Sequence, residues 1–145
     1  MLIFLDIDGV MVPAKPWKVP EMMDDGFPMF TQKATTALNS LLSPKTRVIL
    51  TTSHRDRYSI DQWRVIFENR GIHIEELDRL APYTFAKRKD DIQQWFDSHT
   101  VPKDFIIIDD DTSLYALPEH LKDHLIVPPS MVGLTPEILR EMRTV

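Results

Sequence analysis

Short continuous apolar blocks alternate along this chain with stretches in which apolar residues recur every three or four positions. The blocks are Leu2-Ile3-Phe4-Leu5, Arg47-Val48-Ile49-Leu50, the shorter Ile72-His73-Ile74, Phe105-Ile106-Ile107-Ile108 and Leu125-Ile126-Val127. Runs of this length read as strands covered on both faces, as in a parallel sheet. Between them, Thr31 to Leu42 predicts a helix with Ala34, Ala37, Leu38, Leu41 and Leu42 on one face, stopped by Ser43-Pro44. Ser59 and Gln62 form a capping-box pattern ahead of Ile60, Trp63, Ile66 and Phe67, with Gly71 as a C-terminal stop. Arg88 to Ser98 carries Ile92, Trp95 and Phe96 at helical spacing. Thr135-Pro136-Glu137 supplies a cap, a first-position proline and an acidic first turn for a last helix with Ile138, Leu139 and Met142. Strands alternating with helices predict an α/β domain with helices on both faces of a five-stranded parallel sheet.

Residues 11–30 break this rhythm. Pro13, Pro16, Pro20 and Pro28 exclude a regular helix or central strand, and Trp17, Met22, Met23, Phe27 and Phe30 lie among them. The segment reads either as a flap beside the first strand's end or as a surface excursion pinned to the core by its aromatics.

Bulk properties narrow the class. At 145 residues the chain reads as one domain, residues 1–145, with no repeat or low-complexity tract. A net charge of −5 argues against broad nucleic-acid binding through a basic face, though not against a local basic pocket. The absence of cysteine removes disulfides, thiol nucleophiles and thiolate metal sites, and is compatible with a cytoplasmic location. The N-terminal apolar stretch is short and lacks a basic flank, so it does not read as a signal peptide. No run approaches the roughly 20 apolar residues of a membrane span.

The chemistry lies where the strands stop. Three of them end in polar clusters: Asp6 and Asp8, Thr51-Thr52-Ser53, and Asp109-Asp110-Asp111. Ligands in parallel α/β sheets bind at the carboxyl ends of the strands, so these clusters meet at one edge. Several carboxylates converging there cannot all stay ionised without a cation. An all-oxygen donor set selects a hard ion, Mg²⁺ foremost. A carboxylate nucleophile, a second carboxylate, a hydroxyl and a cation make a phosphoryl-transfer site. Lys87-Arg88-Lys89, at the start of the helix before the fourth strand, offers the fixed positive charge.

Asp-Ile-Asp-Gly-Val, Leu-Thr-Thr-Ser, a basic residue and Ile-Ile-Ile-Asp-Asp-Asp, in that order, resemble the four motifs of the haloacid dehalogenase (HAD) superfamily of phosphohydrolases. More narrowly, Leu-Thr-Thr-Ser-His-Arg, Arg-Lys-Asp-Asp-Ile-Gln-Gln-Trp, Ile-Asp-Asp-Asp and Val-Gly-Leu-Thr are similar to the small HAD domains of bacterial RNA-repair "Swiss army knife" proteins. The resemblance implies a three-layer Rossmann-like sandwich, strand order 3-2-1-4-5. The segments after the first and third strands are too short for a globular cap.

It also implies roles. Asp6 would attack phosphorus, and Asp8 would protonate the leaving oxygen and then deprotonate water. Asp6, the main-chain carbonyl of Asp8 and Asp110 would hold Mg²⁺, with Asp109 bridging to a water or to the basic residue and Asp111 either supporting the ligands from behind or capping. The phosphate-binding hydroxyl is Thr52 when counted from the strand end, or Ser53 when placed by the following Arg55. The motif cation is Arg88 by the narrower family and Lys87 by the wider superfamily. The expected activity is a Mg²⁺-dependent phosphomonoesterase acting on a phosphorylated substrate, a nucleotide or nucleic-acid end. The alternatives are a small-metabolite phosphatase with the flap as lid, and a non-catalytic phosphate-binding or regulatory domain. His54, Arg55 and Arg57 read as solvated ahead of a contact with substrate phosphate, Trp63 and Trp95 as packing, and Trp17 as either flap packing or a stacking platform.

Overall fold

A computed structural model of the chain describes residues 1–81, 87–100 and 102–143. Leu2–Leu5 (β1), Arg47–Leu50 (β2), Glu76–Arg79 (β3), Phe105–Ile108 (β4) and Leu125–Ile126 (β5) pair in parallel, in the order β3-β2-β1-β4-β5. Helices Gln32–Leu41 (α1), Ile60–Glu68 (α2), Arg88–Ser98 (α3), Glu119–Lys122 (α4) and Pro136–Arg143 (α5) complete three layers. Among the described residues, no globular cap is inserted. The side chain of Met142, expected on the last helix's apolar face, lies outside the described residues.

Strand alternation sorts the core into two halves. Ile3, Leu5, Val48, Leu50, Ile106 and Ile108 face the side of α1, α2 and α5, where Ala34, Leu38, Trp63, Phe67 and Leu139 are buried. Leu2, Phe4, Ile49, Phe105 and Ile107 face α3 and α4, packing on Ile92, Phe96, Leu117 and Leu121. Trp63 is fully buried, and Trp95 packs edge-on against Phe4 at 5.0 Å. The helix caps follow from the chain: Thr31 Oγ1 accepts the Ala34 N–H, and Ser59 and Gln62 form the reciprocal capping box.

The third strand is displaced from its expected position. Ile72-His73-Ile74 is not a strand; β3 is the charged stretch Glu76–Arg79. Both isoleucines are buried, but the chain there is still leaving α2. Gly71 turns at φ +78° and Ile72 N–H returns to the Phe67 carbonyl at 3.0 Å, a helix-ending contact rather than a ladder. The ladder forms four residues later, at a sheet edge that tolerates charge: Arg47 on β2 pairs with Asp78 on β3 at 3.1 Å. The fifth strand stops at Ile126, one residue short of Val127. The 3₁₀ turn Thr112–Ala116 and the short α4 had no periodic signal to announce them.

The 11–30 segment is an irregular strap fixed at both feet. Ala14 N–H bonds the Ser130 carbonyl at 2.8 Å, and Leu134 N–H bonds the Val10 carbonyl at 2.8 Å. At the other foot, Phe27 is buried against Trp63 and Phe30, and Arg70 reaches in from beyond α2. Its guanidinium contacts Asp25 Oδ2 at 2.6 Å and donates to the Phe27, Pro28 and Ile66 carbonyls. Between the feet, Trp17 and Val19 project into solvent, 71% and 84% exposed.

Candidate active site

The alternation that builds the core decides which polar residues meet. One step beyond the strands, Asp6, Thr51 and Asp109 continue the face of Phe4, Ile49 and Ile107, toward α3. The main chain keeps them level: Asp6 N–H bonds the Ile108 carbonyl, and Thr51 N–H bonds the Leu5 carbonyl. Arg88, in the first turn of α3, closes the cluster. Its Nη1 lies 2.6 Å from Asp109 Oδ2 and 3.4 Å from Asp6 Oδ1. Thr51 Oγ1 donates to the same Asp109 oxygen at 3.1 Å, and Asp111 N–H bonds Asp109 Oδ1 at 3.0 Å.

Asp6, Asp109 and Asp110 each bring a carboxylate oxygen to within 4.8 Å of the others. Gly9 makes room for this. Its φ is +81°, and a Cβ there would stand 2.0 Å from Asp110 Oδ2, so a glycine at this position lets that carboxylate reach the site. Electrostatics favour an added positive charge here. Burial, reinforced by Asp109, pushes Asp6 up to about 9 from its ordinary 3.8, and Arg88 offsets only part of this. Burial likewise raises Asp109, against the pull of Arg88. Three oxygen donors of this kind fit a hard divalent cation.

Asp8 stands apart. It is exposed, on the rim between the cluster and the flap, and its Oδ2 accepts from His54 Nε2 at 2.8 Å. Thr52 is fully buried, and its hydroxyl accepts the His54 N–H at 3.2 Å; Ser53 is exposed. Lys87 is exposed at the cap position of α3, while Arg88 points inward. Asp111 caps the 3₁₀ turn through Ser113 N–H.

Two residues depart from a solvated reading. Arg55 is fully buried: it donates to the Ala81, Thr51 and Thr52 carbonyls and lies 3.5 Å from Asp91. It braces the turn after β2 rather than facing solvent. His54 is engaged with Asp8 and packs edge-on to Phe27 at 6.2 Å. Neither pairing has a local sequence signal, since the partners lie 36 and 46 residues away. The role of Thr51 was legible in principle, from its register with Asp6 and Asp109.

A five-stranded parallel sheet in this order, with an acidic cluster and an inward arginine at its carboxyl edge and no cap among the described residues, is a Rossmann-like HAD-type domain. Residues 2–139 match the family described as the HAD domain in Swiss Army Knife RNA repair proteins, and the chain belongs to that family. Membership implies a phosphohydrolase-type function, and HAD domains generally use a divalent metal. No curated protein and no solved structure matches the chain. Among the described residues, no helix is long and apolar enough to cross a membrane.

Proposed function

We propose that this protein is a Mg²⁺-dependent phosphomonoesterase, one catalytic unit spanning residues 1–145, that works through an aspartyl-phosphate on Asp6. The observation that carries the reading is the convergence of Asp6, Asp109, Asp110 and Arg88, with Asp8 two residues on and exposed at the rim. The Asp6 carboxylate attacks phosphorus, the ester P–O bond breaks, and the departing oxygen takes its proton from Asp8. Asp8 then takes a proton from water as the water attacks the phosphoryl group, releasing phosphate and restoring Asp6.

Asp6, Asp110 and the Asp8 main-chain carbonyl would hold Mg²⁺, which supplies charge neutralisation for the phosphoryl oxygens. Asp109 orients Arg88, whose guanidinium is the motif cation; exposed Lys87 is not. Thr52 is assigned the phosphate contact, because its oxygen already accepts the His54 N–H and its proton remains to donate. The substrate in this reading is a nucleotide or a nucleic-acid end, supported by the occurrence of the family in RNA repair proteins. A small phosphorylated metabolite is the second reading, favoured by a cavity of about 320 Å³ between Asp8 and the flap. We place the protein in the cytoplasm, which the cysteine-free sequence suits.

The test is hydrolysis of p-nitrophenyl phosphate with Mg²⁺, wild type against Asp6→Asn. Turnover that Asp6→Asn abolishes supports the reading. No turnover by folded wild type across divalent metals and pH overturns it.

A further inference from the structure

The flap cavity carries a charge pattern that the reaction at Asp6 does not use. Its walls include Asp8, Lys15 and Lys18 together with Pro13, Pro16 and Pro20. Lys18 N–H bonds the Lys15 carbonyl at 3.2 Å, so one tight turn sets both lysines along the same wall. Neither ammonium pairs with a carboxylate among the described residues, although the chain carries a net charge of −5. Two unpaired like charges side by side raise the local potential for an anion.

The wall is also held in place. Three prolines restrict its backbone, and the Ala14–Ser130 hydrogen bond ties its base to the loop before α5. Direction follows from Asp8. The group that protonates the departing oxygen faces the leaving side of the substrate, and Asp8 forms one end of this cavity. On the phosphomonoesterase reading, the cavity then lies on the leaving side of the substrate. A second cavity of about 390 Å³ shares the lysines and has Glu21 in its wall in place of Asp8, so it offers an anion the same charges but lies away from the acid/base.

We infer that Lys15 and Lys18 bind a second anionic group on the leaving side, so that the preferred substrates are phosphomonoesters whose alcohol carries a further phosphate or phosphodiester. The inference rests on the phosphomonoesterase reading for its orientation, and its test separates the two. Turnover is compared for propyl phosphate, propane-1,3-bisphosphate and a dinucleotide with one terminal phosphate. Binding is measured in parallel by calorimetry with propylphosphonate and propane-1,3-bisphosphonate, which cannot be hydrolysed.

The expected result is that the second anion raises kcat/KM, and tightens phosphonate binding, by about tenfold. In Lys15→Gln/Lys18→Gln both ratios fall toward one, while Lys45→Gln/Lys103→Gln, away from the cavity, keeps them. A gain with the bisphosphate alone or the dinucleotide alone supports the site and assigns the source of the anion. Wild-type ratios near one, or ratios that survive the Lys15/Lys18 substitution, overturn it. If no ester is turned over but the bisphosphonate binds more tightly in a lysine-dependent way, the anion site stands and the catalytic reading falls.

Discussion

His54 Nε2 sits 2.8 Å from Asp8 Oδ2, and the same imidazole packs edge-on against Phe27 of the flap. The flap, a histidine and the expected acid/base are thus in one line of contact. Both partners of the pair are partly exposed, with side chains 37% and 53% accessible, so the bond adds little to stability. Its effect lies in where it holds the Asp8 carboxylate. His54→Ala should therefore lower kcat about tenfold, leave KM nearly unchanged and shift stability by less than about 0.5 kcal/mol. His54→Gln, which keeps an N–H donor, should recover most of the rate. Equal losses in both variants would show that the contact does not position Asp8.

Arg88 and Lys87 are neighbours with opposite fates. Arg88→Ala leaves Asp109 buried beside Asp6 without its guanidinium, and should cost about 100-fold in kcat and roughly 3 kcal/mol of stability. Lys87→Ala should stay within about twofold and 0.5 kcal/mol of wild type. Steady-state kinetics and urea unfolding of the two variants check the assignment.

Asp6 ties stability to pH. Its folded-state value, about 9, lies above its ordinary 3.8, so the unfolded chain gives up its proton first. The stability contributed by protonated Asp6 is full below about pH 4 and is lost as pH rises toward 9. In chelator at pH 7 to 8, Asp6→Asn should therefore be the more stable protein, by on the order of 2 kcal/mol. Adding Mg²⁺ should narrow that difference by stabilising wild type. Thermal melts across pH, with and without the ion, measure both effects.

Asp25 behaves in the opposite sense. Hydrogen bonds from Arg70 hold its carboxyl well below the ordinary range, so its contribution is present above about pH 4 and is lost as pH falls below that. Asp25→Ala should cost roughly 2 kcal/mol at neutral pH, because the Arg70 guanidinium stays buried with carbonyls alone. The loss should shrink in acid. Protease cleavage within residues 13–29 should accelerate in the variant, reporting release of the flap's second foot.

Gly9 offers a direct probe of the acidic cluster. Gly9→Ala places a methyl group 2.0 Å from Asp110 Oδ2 at a backbone angle that favours glycine. Divalent-ion affinity, measured by calorimetry, should fall at least about tenfold. Unchanged affinity would show that Asp110 does not contribute to ion binding.

Which parts of this molecule were legible in the sequence follows from the kind of force involved. β1, β2 and β4 are buried on both faces and so announce themselves as unbroken apolar runs. α2 carries its own start signal in Ser59 and Gln62. β3 was misplaced because Ile72 and Ile74 are buried for packing, while the strand beside them is held by main-chain pairing at a polar edge. The acidic cluster was readable because strand ends in a parallel sheet must converge. Contacts across long separations, such as Arg55 with Asp91 or His54 with Asp8, depend on where two loops arrive, and no local pattern encodes that.

The strap between Val10 and Thr31 is tied down at its two feet and exposed at its crown. Ser130 and Val10 secure one end, Arg70 secures the other, and Trp17 and Val19 between them stand out in solvent. Such an arrangement is a socket. Extra chain spliced between Pro16 and Val19 would begin and end on fixed points without tugging on Asp6 or Asp8. A minimal domain of this shape could thus acquire a larger lid, or lose one, while its catalytic edge stayed as it was.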